Sequence, residues 1–358
     1  MSPWVTAAPR YPLFCTPCRS TTENPEVVVI EPRVPEKPPL HHLFPRWTLH
    51  ALETGFHPHS RVGRIEYVIQ AALKTRELEP DILVLCSAFT LPLALKLKRR
   101  PRFTLYYALE MSNLYGPDEA DTHRQALPLV DLVIFPEENR AALEIESWGG
   151  VCSPFAVLYN CPSNGAGPGD IRDPGGRNGR IIYAGTIIKG LTFPEYFLHR
   201  SMQEKPIDLF GFVGGPDGEE LKKKLENLEQ NVRYKGYVDH RRLDEIRKEY
   251  CFSLVAWNPL TIQNYYACPN KFFEAIADGV PPIVAPHPQC AKLVRRYRCG
   301  ILMEDWSLGS FLEAVDTGLR IYGTSCYREM VENCRLAAER ELNWQAQFSK
   351  LKPHLPKG

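Results

Sequence analysis

Apolar and polar positions follow a repeating pattern along the chain after residue 64. Short apolar runs, such as 81–86 and 132–135, are typical of buried strands. Between such runs lie stretches with apolar residues at helical spacing; in 65–76 these are Ile65, Val68, Ile69 and Leu73. Because strands alternate with helices, the pattern predicts an α/β fold with parallel sheets and helices on both faces.

The alternation is interrupted once, by a segment rich in glycine, proline, asparagine and aspartate between Asn160 and Arg180. Such a composition favours an interdomain linker. We therefore expect two doubly wound, Rossmann-like domains, with ligand-binding loops at the carboxyl ends of the strands and a cleft between them. The expected ranges are 1–165, of which 1–62 is irregular, and 177–335. A C-terminal helix over 336–358 can pack back on the first domain.

Composition and charge narrow the class of protein. Hydrophobic residues make up 44% of 358 residues, enough for two cores, and a net charge of +1 gives no sign of a nucleic-acid partner. No signal peptide is recognised and no run approaches about 18 apolar residues, so no membrane span is expected.

The cysteines favour a reducing compartment. There are 11, an odd and scattered set that includes Cys86 inside an apolar run, which predicts a cytoplasmic protein without a disulfide framework. Cys15 and Cys18 have the spacing of half a zinc site but lack a second pair, so no metal site is predicted.

The segment 265–284 carries the candidate chemistry. Pro269 suits the first position of a helix and Gly279 suits the position that ends it. Between them, Asn270, Lys271 and Glu274 fall near one face of the first two turns. A helix N-terminus with an added lysine can hold a diphosphate, and a carboxylate one turn deeper can accept the hydrogen bonds of a ribose diol. The alternative is a surface helix with a Lys271–Glu274 ion pair.

This segment resembles the nucleotide-sugar motif of the retaining glycosyltransferases of family 4, in the form Pro-Asn-Lys-x-x-Glu-x-x-x-x-Gly-x-Pro-x-Ile. The resemblance covers about 180–320 well and 64–160 more weakly. Further similar segments are 183–190, 209–216, 234–238 and 297–302. The resemblance implies the GT-B fold: two facing Rossmann-like domains, with the acceptor on the N-terminal side and the nucleotide sugar held mainly by the C-terminal domain.

The resemblance also implies roles for individual residues. Glu274 would hold the donor ribose, and Lys189 and the amide of Gly185 would meet the diphosphate. Asn270 and Lys271 would lie near the phosphates or the sugar. The backbone around Tyr237 and Val238 would frame the base. No cofactor and no metal are expected beyond the nucleotide-diphosphate sugar itself, because helix dipole and basic side chains would neutralise the leaving diphosphate.

The sequence departs from the family pattern at three places. Tyr266 stands where many relatives have a first glutamate, and Thr186 stands where they often have an arginine. After the strand at 103–107, relatives often have a histidine followed by an acidic residue, and Glu110 lies near that position. Glu110 is either a catalytic group that positions the acceptor or an exposed loop acid.

A basic segment of the N-terminal half suggests a membrane surface. Its residues are Lys96, Lys98, Arg99, Arg100 and Arg102. They would meet anionic lipid as a peripheral contact, at about 1 kcal/mol per residue. The alternative is a solvated basic helix end. Trp257 follows a strand end, where it would stack on base or sugar or lie in the core.

The sequence therefore predicts a retaining, metal-independent glycosyltransferase. It would move a hexose-type sugar to a hydroxyl of a glycan, lipid-linked or small-molecule acceptor, by front-face transfer. A catalytically degenerate nucleotide-sugar-binding partner subunit is the second hypothesis, and an epimerase or hydrolase on a similar scaffold is the third.

Overall fold

The computed structural model describes residues 26–34, 47–58, 60–112, 117–150, 153–162, 174–228 and 231–356. Their contacts divide the chain into two compact units. The N-terminal unit runs to Leu158 and takes in the chain again from Phe348, and the C-terminal unit is Tyr159–Gln347. The Cys15 and Cys18 pair lies outside the described residues.

The N-terminal unit is built on a parallel sheet of four strands in chain order, β3-β4-β5-β6. A separate parallel pair, β1 and β2, precedes it. The strands are β1 (Val28–Pro32), β2 (Thr48–Leu52), β3 (Ile82–Cys86), β4 (Phe103–Tyr107), β5 (Leu132–Phe135) and β6 (Phe155–Val157). The helices are α1 (Arg61–Leu78), α2 (Pro117–Ala126) and α3 (Glu138–Ser147), with 3₁₀ turns at Ala88–Lys96 and Leu127–Leu129.

The region expected to be irregular, 1–62, contains both β1 and β2 in its described part. The prediction was therefore wrong for Thr48–Leu52, a strand of five residues with few β-branched side chains. The segment Ala88–Lys96, which leads into the basic segment, is a 3₁₀ helix. Pro92 lies inside it, and proline lacks the N–H that an α-helix would need there.

Helix α1 buries a different face from the expected one. Val68 is buried, but Ile65, Ile69 and Leu73 are about half exposed. The buried face consists of Gly63, Tyr67, Val68, Ala71, Ala72 and Thr75. Small residues allow the close approach: a Cβ on Gly63 would lie 2.2 Å from the carbonyl oxygen of His57. Tyr67 anchors this face because its hydroxyl donates to the Ile30 carbonyl at 2.8 Å.

The C-terminal unit contains a six-stranded parallel sheet in the order β11-β9-β7-β12-β13-β14. Its strands are β7 (Ile181–Ala184), β9 (Ile207–Phe210), β11 (Val232–Gly236), β12 (Phe252–Val255), β13 (Pro282–Val284) and β14 (Ile301–Leu302). Two short strands form a separate parallel pair, β8 (Ile187–Ile188) and β10 (Val213–Gly214). The strand order reverses between β7 and β12, which is the topological switch point where doubly wound sheets bind ligands.

Helices cover this sheet and complete its core. They are α4 (Pro194–Leu198), α5 (Arg200–Gln203), α6 (Gly218–Glu226), α7 (His240–Arg247), α8 (Ile262–Tyr265), α9 (Asn270–Ala277), α10 (Pro288–Tyr297), α11 (Leu308–Ile321), α12 (Ser325–Arg340) and α13 (Trp344–Ser349), the last of which crosses the unit boundary. Fully buried residues of the sheet, including Ile181, Leu209, Phe252 and Ile283, pack against Phe311 and Tyr327 of α11 and α12.

Arg177, the first residue of the expected range 177–335, packs into the C-terminal unit. Arg177 is buried, and its guanidinium donates to the Gly279 carbonyl at 2.9 Å and to the Tyr327 hydroxyl at 3.0 Å. Residues from Arg177 onward therefore belong to the C-terminal unit, and the part of the segment before 174 lies outside the described residues apart from 160–162. Within the described ranges, no helix is long and apolar enough to cross a membrane.

Candidate functional site

Two glycines lie at the carboxyl ends of β7, one of the two strands at the switch point, and of its neighbour β9. Gly185 follows β7 with φ +148° and Gly211 follows β9 with φ +151°, a backbone region that favours glycine. A Cβ on Gly211 would lie 1.7 Å from the carbonyl oxygen of Gly185. The two loops therefore approach each other as closely as their backbones allow, and Gly185 remains partly exposed.

The amide of Gly185 does not have the role that was expected. Its N–H donates to the Phe210 carbonyl at 2.9 Å, as part of the sheet. A backbone amide has one proton, so this one is already used and the prediction that it meets a diphosphate is wrong. Gly185 instead leaves room for Lys271 because it has no side chain: a Cβ there would lie 3.4 Å from Lys271 Nζ.

Helix α9 brings the motif residues to this edge of the sheet. It begins at Asn270, and Pro269 is the extended residue before it rather than its first helical residue. Gly279 ends it with φ +66°, as predicted, and Val280 N–H donates to the Ala275 carbonyl at 2.8 Å. The side chains of Phe272, Phe273, Ala275 and Ile276 are fully buried, so the helix is fixed by packing.

Lys271 is the most unusual side chain of the site. It is 7% exposed, and its Nζ lies 3.9 Å from the centre of the Tyr183 ring. That Nζ is buried and has no hydrogen-bond partner in the described part of the chain. Burial lowers the pKa of Lys271 to about 7, and the charge of Glu274 opposes this only partly. A buried ammonium without an acceptor is costly, so this group is suited to receiving an anion.

Glu274 pairs with an arginine that the sequence analysis did not identify. Its Oε2 lies 3.1 Å from Arg247 Nη2, so the alternative Lys271–Glu274 ion pair is not the one formed. Arg247 is 1% exposed and also contacts Asp278 and Asp244. Burial raises the pKa of Asp278 to about 6, even though Arg247 pulls in the other direction. Asp278 follows the motif glutamate by one helical turn, which is the signal that could have predicted a shared partner.

The remaining predicted donor residues lie on the surface of the same unit. Asn270 is partly buried at the first position of α9. Lys189, in the loop after β8, is largely exposed, and its Nζ lies 3.9 Å from Asp217. Tyr237 is 73% exposed just after β11, and Val238 packs on a small cluster that includes Tyr250. The structure thus brings Gly185 next to Lys271, and Lys189, Tyr237 and Val238 lie on other loops of the same unit.

The carboxyl end of β12 is tied to helix α10 by a buried histidine. His287 Nε2 accepts from the Trp257 N–H at 3.2 Å, and Nδ1 lies 3.2 Å from the Tyr265 carbonyl. These contacts fit the tautomer that carries its proton on Nδ1. Trp257 is partly buried beside them, and Tyr266, in place of the family's first glutamate, packs edge-on against Tyr265.

Glu110 lies in the N-terminal unit, after β4. Burial raises the pKa of its carboxyl group, and the nearby charge of Arg140 opposes the shift. Burial also raises the pKa of Glu137, which caps the N-terminus of α3, and of Glu144 within α3. Glu110 is partly buried, so the interpretation of it as an exposed loop acid is wrong.

Part of the basic segment is neutralised by neighbouring acids. Arg99 pairs with Glu79 at 3.1 Å and Arg100 pairs with Asp131 at 2.8 Å. Lys96, Lys98 and Arg102 are exposed. Within the described ranges, no cluster of three or more histidine, cysteine or acidic residues could hold a metal ion.

Comparison with known proteins finds similarity to glycosyltransferases. Residues 179–320 match the family model described as glycosyl transferases group 1, so the resemblance to glycosyltransferases proposed from the motifs is confirmed over that range. No curated protein sequence matches the chain.

Solved structures match almost the whole chain. Sucrose-phosphate synthase from Thermosynechococcus elongatus matches with a TM-score of 0.69 and 15% identity, over 92% of this chain and 88% of that one. A glycosyltransferase from Rickettsia africae has a TM-score of 0.66 and 11% identity, over 92% and 98%. HepE from Anabaena, in complex with UDP-glucose, has a TM-score of 0.64 and 14% identity, over 92% and 99%. The GT-B fold class is thereby confirmed.

Proposed function

We propose that this protein transfers a sugar from a nucleotide-diphosphate sugar to a hydroxyl group of an acceptor. One observation carries the proposal: the buried Lys271 ammonium, without a hydrogen-bond acceptor, lies against the Gly185 loop at the switch point of the C-terminal sheet. The match of 179–320 to group 1 glycosyltransferases supports the same assignment, as does the UDP-glucose bound to HepE.

The chemistry of the donor fits the charges of the site. A nucleotide-diphosphate sugar reacts by losing its nucleoside diphosphate, so negative charge develops on the diphosphate as the sugar departs. Lys271 next to Gly185, the N-terminus of α9 at Asn270, and Lys189 at the neighbouring loop would together stabilise that charge. Because these groups supply the positive charge, we propose that the reaction needs no metal ion; activity that is unchanged in excess chelator would support this.

Glu274 is the proposed ribose-binding residue. Its ion pair with Arg247 uses Oε2, while a carboxylate has about four acceptor sites in all. A ribose diol can therefore donate to the same group. Tyr237 and Val238 would frame the base at the end of β11, with the exposed Tyr237 ring available for stacking.

The sugar is proposed to be transferred with retention of its anomeric configuration, by front-face attack in which the diphosphate helps to take the acceptor proton. The N-terminal unit is proposed to bind the acceptor, a glycan, lipid-linked or small molecule. Glu110 is its candidate positioning group, because a partly buried carboxyl with a raised pKa can share a proton with an acceptor hydroxyl. NMR of the product would establish the configuration.

The first experiment is a thermal-shift panel of UDP-, GDP-, ADP- and dTDP-sugars on the wild type and on Glu274→Ala. A donor at 100 times its dissociation constant should stabilise the protein by about 2.7 kcal/mol. We expect a shift with the sugars of one base and its loss in Glu274→Ala. Lys222→Ala, a change on the exposed face of α6, is the matched control and should keep the shift.

Three results would contradict the proposal in different ways. No shift with any donor, with and without a mixture of acceptors, would reject the donor site. A shift without transfer to any acceptor would identify a nucleotide-sugar-binding subunit. Release of a free, altered sugar without an acceptor would identify an epimerase or hydrolase.

We also propose that the N-terminal unit docks on an anionic membrane surface. Helix α1 exposes an apolar stripe at helical spacing, formed by Val62, Ile65, Ile69 and Leu73. The end of this helix meets the basic segment, since the Arg76 guanidinium donates to the Lys96 carbonyl and Arg99 pairs with Glu79. An apolar stripe beside exposed basic residues fits a bilayer with anionic head groups.

Sedimentation with vesicles tests this contact. Wild type should sediment with vesicles that contain phosphatidylglycerol and remain in solution with pure phosphatidylcholine vesicles. Exchange of Ile65 and Ile69 for serine should abolish sedimentation, whereas Lys222→Ala should not. Equal binding of the serine variant would show that the stripe is not the docking surface.

A further inference from the structure

Two cysteines from separate elements meet beside the N-terminus of α9. Cys268 lies in the loop between α8 and α9, and Cys290 lies in the first turn of α10. Their Sγ atoms are 3.4 Å apart. Cys268 is partly exposed and Cys290 is fully buried. An oxidant can therefore reach one thiol of the pair, and the second thiol lies directly behind it.

We propose that Cys268 and Cys290 form a reversible disulfide, and that this bond weakens ligand binding at the N-terminus of α9. The part that concerns ligand binding rests on the proposed function. The disulfide itself is a modification site that does not depend on it. The pair would thus make ligand binding sensitive to oxidation, in a protein whose scattered cysteines favour a reducing compartment.

The oxidation balances with hydrogen peroxide as the oxidant. The Cys268 thiolate attacks peroxide, which breaks the O–O bond and gives a sulfenic acid and hydroxide. Cys290 sulfur then attacks the Cys268 sulfur; the S–S bond forms, and the sulfenic oxygen leaves as water with the thiol proton. The two thiols lose two electrons and two protons in all, and peroxide is reduced to two waters. A thiol such as glutathione reverses the bond by exchange.

The effect of the disulfide on the donor site depends on which of the two cysteines moves when the bond forms. A disulfide requires the sulfur atoms to approach from 3.4 Å to about 2.05 Å. Cys290 is held in a buried helix whose N-terminal His287 is bonded to the backbone of Trp257 and Tyr265. Cys268 is in a loop and precedes α9 by two residues, so its side should shift more. That shift moves the first residues of α9, including Asn270 and Lys271, relative to the Gly185 loop.

Other cysteines of the same unit provide internal controls. Cys299 and Cys334 are also close, with Cys334 Sγ donating to the Cys299 carbonyl at 3.1 Å, but both are fully buried. Burial raises the pKa of the Cys334 thiol well above its usual range, which suppresses the reactive thiolate. Cys326 is exposed, so it should react with an alkylating reagent irrespective of the 268–290 pair.

The test is a peptide map of the full chain after mild peroxide, then after dithiothreitol. Trypsin places Cys268 in peptide 249–271 and Cys290 in peptide 272–292, so the disulfide links these two peptides. Cys251 shares the first peptide, and fragmentation of the linked species assigns the bond to Cys268. We expect the linked species in wild type, its loss on reduction, and its absence in Cys268→Ala. Cys326→Ala is the matched variant that should keep it.

Two further readouts separate this proposal from the proposed function. Hydrogen exchange over 268–277 should differ between oxidised and reduced wild type but not in Cys268→Ala, without any donor present. The dissociation constants of UDP-glucose, GDP-mannose, ADP-glucose and dTDP-glucose, whichever bind the reduced protein, should rise about tenfold or more on oxidation. No binding to the reduced protein contradicts the proposed function alone. Failure to find the 268–290 link, or oxidation without change in exchange or affinity, overturns this proposal.

Discussion

Replacement of Lys271 by methionine should stabilise the protein while it removes donor binding. Methionine has a similar length and can occupy the same site over the Tyr183 ring without a charge. In the wild type, burial lowers the pKa of Lys271 from its ordinary 10.5 to about 7. The folded state therefore binds a proton more weakly than the unfolded state does.

The sign of the pH effect follows from this difference. Between pH 7 and pH 10 the unfolded chain keeps the Lys271 proton and the folded chain has lost it, so stability rises with pH. Below pH 7 both states are protonated, and the full cost of the buried charge is present. At about 1.4 kcal/mol per pH unit, the wild type should gain roughly 2 kcal/mol between pH 7 and pH 9 from this group.

Denaturation of wild type and Lys271→Met across this pH range measures the effect as a difference. The variant should be more stable at pH 7, and its advantage should shrink by about 2 kcal/mol at pH 9. Lys222→Met, at an exposed position on α6, should show no such pH dependence. A Lys271→Met protein that is less stable at pH 7, with a constant difference across pH, would refute the assignment of a buried, uncompensated ammonium.

Three further predictions follow from the same unit. Arg247→Met should destabilise the protein by about 3–5 kcal/mol, because it removes the buried ion-pair partner of Glu274 and Asp278. Thermal midpoints should show a smaller loss at pH 5 than at pH 7.5, because Asp278, with a pKa of about 6, is charged only at the higher pH, and an equal loss at both would contradict this. Gly211→Ala should lower the thermal midpoint much more than Gly190→Ala, because both glycines have positive φ but only a Cβ on Gly211 would meet backbone, 1.7 Å from the Gly185 carbonyl oxygen. Equal decreases in the midpoint would contradict the close approach of the two loops. Donor affinity of the wild type should fall as pH rises above 7, by up to about tenfold per unit, because the diphosphate requires the protonated Lys271; titrations with a flat pH profile would exclude this coupling.

The sheet of the C-terminal unit could be predicted because its strands are short and mostly apolar. Phe252–Val255 and Ile207–Phe210 each contain one polar residue, Ser253 and Asp208, and all their residues are buried, as expected for strands covered on both faces. The pairs of two residues, β8 and β10, were missed, since elements of that length have no periodicity to recognise. The same holds for the single turn Ile262–Tyr265.

Helix α1 shows why a correct element can have the wrong face. Spacing alone favoured Ile65, Ile69 and Leu73 as the core face, because they are the larger apolar residues. The structure packs Gly63 and its small neighbours instead, since close approach to His57 excludes side chains there. Which of the two faces of α1 is buried depends on the position of the neighbouring segment around His57. The sequence pattern of the helix does not contain that information.

For the candidate site, the motif selects candidate residues, but it did not predict which groups each of them contacts. Lys271 of α9 lies next to Gly185, in the loop after β7. The pairing of Glu274 with Arg247, which lies 27 positions earlier, depends on how α7 and α9 pack. The amide of Gly185 was assigned to a ligand, but the sheet uses it for the Phe210 carbonyl. Local patterns therefore select candidate side chains, but tertiary contacts determine what each of them is bonded to.

The central claim is that the Lys271 ammonium receives the diphosphate of a nucleotide sugar. Calorimetric titration at pH 8 tests it most directly, with the sugar selected by the thermal-shift panel and in buffers of different ionisation enthalpy. With a pKa of about 7 in the free protein, Lys271 is mostly neutral at pH 8 and must gain a proton when the diphosphate binds. We predict uptake of about 0.9 proton by the wild type and by Lys222→Met, and loss of binding in Lys271→Met. Binding without proton uptake in the wild type, together with unchanged affinity in Lys271→Met, would contradict the claim.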